Sequence, residues 1–363
     1  MQEQFYTIKE KDISILQSES VELLKELIAT PSFSKQEDKT AQLVKDFLNK
    51  KDISFKEKLN NIWAFNKYFD VSKPTILLNS HHDTVKPNQG YTNDPFNPEI
   101  KDGKLFGLGS NDAGGCLVSL LATFLFFYDK KDLHYNLIYS ATAEEEISGN
   151  NGVECILNEL PSIDFAIVGE PTQMHLAIAE KGLMVLDCRS VGVSGHAARE
   201  EGDNAIYKAM KDIEWFRNFQ FPKISEQLGP VKMSITIIKA GSQHNVVPSE
   251  CEFTVDVRTT DSYTNEEILE IIQQNVSCEI KSRSFRLQPS FISPTHSIII
   301  AGKVLGRNTY GSPTTSDQAL MPFPSLKLGP GDSARSHMAN EFIFIDEIKE
   351  GIEIYIELLK QIL

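Results

Sequence analysis

Histidines and carboxylates recur in this sequence at the ends of apolar runs, and that placement points to chemistry more strongly than any single residue does. Ser80-His81-His82-Asp83-Thr84-Val85 follows the apolar run Thr75-Ile76-Leu77-Leu78. A metal-bound imidazole usually gives its second ring N–H to a carboxylate, and an acid two residues beyond His81 can be that acceptor or act on a neighbouring ligand. By itself, His81-x-Asp83 is a weak signal and far more often an ordinary strand-end turn. Asn136 to Thr142 is another apolar run and leads into Ala143-Glu144-Glu145-Glu146, and Phe165 to Gly169 leads into Glu170-Pro171-Thr172. Ser325 to Leu328 leads through Gly329-Pro330-Gly331-Asp332 to His337. Three adjacent glutamates are usually a solvated face, but these stand at the mouth of a core strand. Asp112, in Gly109-Ser110-Asn111-Asp112-Ala113-Gly114-Gly115, opens a very apolar segment. It reads either as a helix N-cap or, among glycines that let backbone come close, as a carboxylate placed to bridge two cations.

The elements that must position these groups are strands of one sheet. Ligands gather beyond the carboxyl ends of strands in open α/β sheets, so the segments carrying His81 and Asp83, Glu145 and Glu146, Glu170, and His337 are expected at one crevice. Two histidines among several carboxylates suit zinc or a comparable divalent ion. With one acid shared, they suit two ions about 3.5–4 Å apart. Upstream, Val21-Ile28 is patterned as a helix, and Ser34-Lys35-Gln36-Glu37 has the spacing of a capping box starting a second amphipathic helix through Leu48. Both read as scaffold. Ile53 to Leu59 and Asn61 to Phe65 alternate as strands, and Lys101-Asp102-Gly103-Lys104 reads as a hairpin turn. The apolar stretch from Cys116 to Tyr128 is too short to span a bilayer and reads as a buried helix.

Between about Lys181 and Phe285 the pattern changes. Leu183 to Val191, Val231 to Lys239 and Glu252 to Arg258 read as strands, and Asn204 to Phe219 and Asn265 to Ile272 as amphipathic helices. The β-α-β-β-α-β order describes a small α+β sandwich. On residue grounds, His196 in Gly195-His196-Ala197-Ala198 is a histidine packed in a turn. Arg258 is a strand-surface arginine paired with Asp256 or Asp261, although its planar fork also suits a substrate carboxylate. His82, His134, His175, His244 and His296 read as structural or surface residues.

Composition narrows the classes. At 363 residues the chain exceeds what one core usually supports, so two domains are expected. A formal net charge of −14 and a pI of about 5.1 argue against nucleic acid or an anionic membrane as partner. The five cysteines are odd in number, widely spaced and never in Cys-x-x-Cys, as expected of reduced thiols. The opening MQEQFYTIKEKDIS has neither an apolar h-region nor an Arg-rich amphipathic pattern, so no export or transit signal is read and a cytoplasmic location is expected.

The order His81-x-Asp83, Gly109-x-x-Asp112, Glu145-Glu146, Glu170-Pro171 and His337 resembles the co-catalytic zinc deacylase and exopeptidase family that includes acetylornithine deacetylase, succinyl-diaminopimelate desuccinylase and aminoacylase. The segments Ser110 to Gly115, Gly329 to Asp332 and His337-Met338-Ala339-Asn340-Glu341 look most like acetylornithine deacetylase and its acylcitrulline relatives. The resemblance runs from about Leu27 to the C-terminus. It implies an α/β catalytic domain of zinc-exopeptidase type with a mixed central sheet, discontinuous over 1–180 and 286–363. The sandwich over 181–285 would then be the inserted lid that also forms a homodimer. It further implies two divalent metals, most readily zinc and otherwise cobalt. His81 and Glu170 would hold one metal, Glu146 and His337 the other, and Asp112 would bridge them. Asp83 would steer the His81 side, and Glu145 would be the general base. His196 would reach the partner subunit's site, and Asn245 and Arg258 would meet the substrate. A Glu rather than an Asp at 170 leans toward a deacylase. Two departures, Ala113-Gly114 in place of Met-Lys and Thr84-Val85-Lys86-Pro87 in place of Val-Val-Pro, touch no implied ligand but could reshape the pocket.

The expected activity is hydrolysis of the amide of an Nα-acyl amino acid, N-acetylornithine or an N-acylcitrulline, in arginine biosynthesis. The alternatives are succinyl-diaminopimelate desuccinylation, di- or tripeptide exopeptidase activity, and, remotely, a non-catalytic metal-stabilised dimeric binding protein. A succinyl substrate carries a second carboxylate whose unpaired burial is costly. Lys86 and Arg335 are the cations that sequence position allows for it.

Overall fold

The structure, a computed structural model, describes residues 10–363. Two compact units are present. The first runs to Ile178 and resumes over Phe291–Tyr310 and Ser316–Leu363, and the second is Ala179–Ser290 with Gly311–Thr315.

The first unit is a helix-covered mixed sheet. Its strands lie in the order Phe55–Lys58, Asn61–Phe65, Asn136–Thr142, Thr75–His81, Phe165–Val168, Ser325–Lys327 and Leu176–Glu180. The middle four are mutually parallel, and Asn61–Phe65 runs antiparallel to Asn136–Thr142. Thr75–His81 is buried along its whole length, without alternation, because both faces are covered. Ile76 and Leu78 enter the larger core, while Leu77 packs with Ile138, Ala166 and Val168 on the opposite side. The helices Glu10–Ile28, Gly115–Phe127 and Ile345–Lys360 cover the larger face. Gly115–Phe127 is apolar on every side because it is the central one of these, and 83% of the apolar window Ser110–Phe127 is buried. The hairpin at Asp102-Gly103 forms as expected, with both residues at positive φ between Glu99–Lys101 and Lys104–Phe106.

Parallel strands share a carboxyl edge. His81 ends one strand, Thr142 stands three residues before Glu145, Val168 two before Glu170, and Lys327 precedes the loop to His337. Sheet topology therefore collects the site.

The second unit is an antiparallel sheet in the order Lys232–Ala240, Glu250–Thr259, Gly182–Val191 and Glu279–Ser282. Buried residues alternate along Gly182–Val191, and the inner face packs on the helices Ala205–Asn218 and Asn265–Gln273. Asn204 caps the first helix, and a Thr264–Glu267 capping box starts the second. Gly311–Thr315 joins this unit because Lys181 donates its N–H to Ser312 and accepts from the Thr315 hydroxyl. A short ribbon pairs Gly195–His196 with Val246–Val247.

The capping box expected at Ser34 to Glu37 does not form. The helix starts at Asp38, Glu37 stands at its N-cap without capping it, and the Ser34 hydroxyl bonds Asp83 instead. Both side chains are drawn into the carboxyl-edge cluster, where stronger charge-assisted partners are available than a helix end.

Candidate active site

His81 is buried at the end of its strand. Its Nδ1–H donates to the Asp83 carbonyl oxygen at 3.0 Å, with the Asp83 carboxylate 3.4 Å away. That leaves the Nε2 lone pair facing Asp112 Oδ1 at 3.5 Å, Glu170 Oε1 at 3.8 Å and Glu145 Oε2 at 3.9 Å. On the other side, His337 Nε2 lies 3.0 Å from Glu146 Oε2 and 3.7 Å from Asp112 Oδ2. Asp112 thus offers one oxygen to each histidine. It is not a helix cap: the helix behind it starts at Gly115 and has Gly114 at its N-cap.

These residues fit a pair of divalent ions. Among the described residues, the groups able to hold a metal are His81, Asp112 and Glu170, and Asp112, Glu146 and His337, each with ligand atoms within 4.8 Å of one another. His81 Nε2 and Glu170 Oε1 are buried with no hydrogen-bond partner among the described residues. Buried acceptors of this kind are costly unless something positive meets them. Imidazole nitrogen with carboxylate oxygen is also the donor set of zinc and similar ions.

The electrostatics follow from crowding acids around two imidazoles. Burial opposes charge on His81, but Glu145, Asp112 and Asp83 outweigh it and raise its pKa well above the usual value. The hydrogen bond that His337 donates to the Glu146 carboxylate lifts its pKa to about 9. Burial, then the Asp112 charge, lifts Glu170 to about 8. Glu145 is raised well above the ordinary carboxylate range, chiefly by burial.

Asp83, which the sequence marked, together with Glu37 and Glu341, to which it assigned no site role, holds this arrangement. Asp83 accepts from Ser34 Oγ at 2.7 Å and from the backbone N–H groups of Glu145 and Glu146 at 3.1 and 3.2 Å, so it orients the Glu145-Glu146 turn as well as His81. Glu37, fully buried, accepts the Glu144 N–H at 3.3 Å and the Asn60 amide at 2.9 Å. Three successive N–H groups of the glutamate run are therefore held by two carboxylates. Glu341 accepts the N–H groups of Gly109, Asn111 and Asp112 at 3.1, 2.8 and 2.9 Å. Asn111 exchanges two hydrogen bonds with the backbone of Asp332, tying the Asp112 loop to the loop that leads to His337. Of these, sequence assigns a site role to Asp83 alone; Ser34 and Glu37 read there as a capping box, and Asn111 and Glu341 stand inside the motifs named above without a role.

The remaining expected residues lie in the second unit. His196 is exposed on the short ribbon, its Nδ1 accepting the Ala198 N–H at 3.1 Å. The Asn245 carbonyl oxygen accepts the Ala197 N–H at 3.0 Å, which sets Asn245 beside His196. Arg258 is engaged by Asp256 through Nε and Nη2 at 2.8 and 3.1 Å, the ion pair foreseen as its alternative. In the first unit, Arg335 is held bidentately by Glu347 at 2.7 Å through both terminal nitrogens, with its guanidinium over Phe342 and Phe344. His82 is structural as expected: Thr40 bonds its Nδ1 at 2.9 Å, and its Nε2 bonds the Asn60 carbonyl at 2.8 Å.

Comparison with known proteins agrees with this geometry. Residues 77–361 match peptidase family M20/M25/M40. Acetylornithine deacetylase of Proteus mirabilis (strain HI4320) is 29% identical, covering 91% of this chain and 94% of that protein. Succinyl-diaminopimelate desuccinylase of Wolbachia pipientis subsp. Culex pipiens (strain wPip) is 27% identical, covering 94% of this chain and 92% of that protein. Among solved structures, the YXEP protein of Bacillus subtilis, a dinuclear metal binding peptidase from the M20 family, superposes with a TM-score of 0.73 at 17% identity, over 96% of this chain and 98% of that one. With the match spanning most of the chain and the sheet, the ligand groups and the relatives all of one kind, this chain belongs to the M20 family of hydrolases.

Proposed function

We propose that the protein hydrolyses the amide bond of an Nα-acyl amino acid, with N-acetylornithine or an N-acylcitrulline of arginine biosynthesis as substrate, in the cytoplasm. The observation that carries this reading is Asp112, whose two oxygens face different histidines while Glu145 stands beside the first. His81 and Glu170 would hold one divalent ion, Glu146 and His337 the other, and Asp112 both. Bound there, zinc or cobalt supplies Lewis acidity that polarises an amide carbonyl and brings the pKa of water toward neutrality. Glu145 takes the proton of the attacking water and returns it to the leaving amine nitrogen, a role suited to a carboxyl whose pKa burial has raised. Asp83 and Glu37 fix its backbone so that the carboxylate does not drift during transfer. In a homodimer formed through the second unit, His196 of the other copy donates to the developing oxyanion. Asn245 and Arg258 meet the substrate, Arg258 exchanging Asp256 for the α-carboxylate.

The relatives' names support an acylated amino acid as substrate, and one of them favours the second reading, desuccinylation of diaminopimelate. Against that reading, Arg335 is already neutralised by Glu347, which leaves Lys86 as the remaining cation of the two that sequence position offered. The deciding assay compares kcat/KM for N-acetylornithine, N-acetylcitrulline, N-succinylornithine, N-succinylcitrulline and N-succinyl-diaminopimelate in one preparation. An acylornithine or acylcitrulline should exceed diaminopimelate by more than ~10-fold, about 1.4 kcal/mol in the transition state. Preference for succinyl-diaminopimelate would reject the arginine assignment, and cleavage of unblocked dipeptides alone would make the protein a peptidase.

A further inference from the structure

Asp317 is a buried carboxylate to which the reaction outlined above gives no part. It lies in the short turn Asp317–Leu320 that precedes Ser325–Lys327 and is 3% exposed. Its Oδ2 accepts two hydrogen bonds of 2.8 Å, one from Asn79 Nδ2 and one from Thr142 Oγ1. Those donors sit on adjacent parallel strands, two residues before His81 and three before Glu145, in register with Asn79 opposite Ser140 and His81 opposite Thr142. The Asn79 side-chain oxygen accepts from Ser140 Oγ at 2.6 Å, and Thr142 Oγ1 also reaches the Ser80 carbonyl at 3.2 Å. One carboxylate oxygen therefore ties together the last rungs of the two strands that deliver the imidazole and the proton carrier. The turn is itself anchored, with Ser316 capping it and the Gln318 amide bonding Ser325 Oγ at 2.9 Å.

Stability alone does not explain this residue. Its two donors are a carboxamide and a hydroxyl, and a carboxylate buried on neutral donors is expensive compared with an apolar side chain of similar size. Burial raises its carboxyl to about 6. A neutral clamp between two strands could be built more cheaply from an asparagine. An acid with two strong acceptor lone pairs on one oxygen suits a place where two strand ends must be held to within a fraction of an ångström.

We propose that Asp317 is a positioning residue for hydrolysis, fixing the ends of the His81 and Glu145 strands so that the imidazole and the Glu145 carboxylate keep their 3.9 Å separation. This rests on the reading of Glu145 as proton carrier. Asp317 touches neither substrate nor metal and acts through Asn79 and Thr142.

The test uses the full-length, metal-loaded protein and the best substrate of the panel above. Asp317→Ala should lower kcat by roughly 10-fold to 10²-fold, the cost of sub-ångström misplacement of reacting groups, with KM within about 2-fold on the same principle. Metal stoichiometry should stay at the wild-type value, and the visible absorption of the cobalt-loaded variant should shift as the His81 side loosens. Asp317→Asn keeps an oxygen that can accept from both donors, but a neutral and weaker one, and should recover only part of the rate. Wild-type kcat in Asp317→Ala, whatever its melting temperature, would overturn the proposal, and so would an Asp317→Asn variant as slow as Asp317→Ala. Should Asp317→Ala not fold, Asn79→Ala and Thr142→Val each remove one arm of the clamp and should each reduce kcat without raising KM. Wild-type kcat in both would overturn the proposal. Glu145→Gln run alongside separates the two levels: full activity there removes the reading beneath the inference, whereas an inactive Glu145→Gln with an unaffected Asp317→Ala removes the inference alone.

Discussion

Glu145 and Glu146 are chain neighbours with different surroundings, one carboxylate turned to His81 and the other to His337. Glu145→Gln keeps the shape but cannot carry a proton, so turnover should fall by at least ~10²-fold while metal content holds. Glu146→Gln should lose metal. If plasma emission finds the same metal content in both variants, the assignment within the run is wrong. Glu341→Gln replaces an acceptor of three N–H groups with an amide that must turn a donor toward some of them, releasing the Asp112 loop. Metal affinity, read by chelator competition, should drop roughly 10–100-fold, the usual effect of losing a partner that orients a ligand, and unchanged affinity would show that the loop holds its shape unaided. His81, Glu145, Glu146, Glu170 and His337 were legible in the sequence because each comes after an apolar run that reads as a buried strand, and Asp112 because it stands among glycines ahead of an apolar helix. Glu341, Glu37 and Asp317 were not. Their partners are other loops' N–H groups and strand-end side chains as far as 238 positions away, and no local pattern marks an acid that folds onto a distant backbone.

Turns carry most of the precision. Ser34-Lys35-Gln36-Glu37 matched a capping box, yet tertiary partners took both side chains, an outcome that spacing cannot reveal because it describes one helix end in isolation. The hairpin at Asp102-Gly103 was legible because its chemistry is local. Behind Asp112, a Cβ on Gly114 would lie 2.4 Å from the Gly109 carbonyl oxygen and 2.5 Å from Leu24 Cδ1, so the glycine is required by close approach. Gly114→Ala should destabilise the protein by about 1–3 kcal/mol and weaken metal binding as the Asp112 turn is pushed outward. Loss of stability with intact metal affinity would show that the strain relaxes into the Leu24 side instead. On the second unit's ribbon, His196→Ala should cost roughly 10²–10³ in turnover, the loss typical of one oxyanion donor, with metals retained. Mixing it with Glu145→Gln under verified subunit exchange should restore activity in heterodimers. Its absence would mean that His196 serves its own chain or none.

At the scale of the molecule, the first unit concentrates acid. Burial, then Asp112, holds Glu170 and Glu341 up to about 8, against a usual 4.5. A folded state that keeps protons which the unfolded chain releases loses stability as pH rises, here from about 4.5 through about 8. His337, lifted to about 9 by Glu146, contributes stability that is full below 6.5 and lost as pH climbs through about 9. Both slopes run the same way, so metal-stripped protein should melt lower at pH 8.5 than at pH 6. Divalent ions at about 100-fold over Kd should add about 2.7 kcal/mol per site and flatten the slope, because cations replace the protons. A stripped protein that gains stability with pH would show these acids ionising freely. The second unit also has a consequence in time. It is inserted between the strand that delivers Glu170 and the one that leads to His337. A ribosome therefore finishes His81, Asp112, Glu145, Glu146 and Glu170 long before it reaches His337 and Glu341. The nascent first half emerges with its acids gathered, its sheet unfinished and its bridging loop unpinned, while the insert, which lacks only the five residues Gly311–Thr315, can condense ahead of it. Capture of a second ion would thereby be deferred almost to release of the chain, and a truncated product is left without the second binding group.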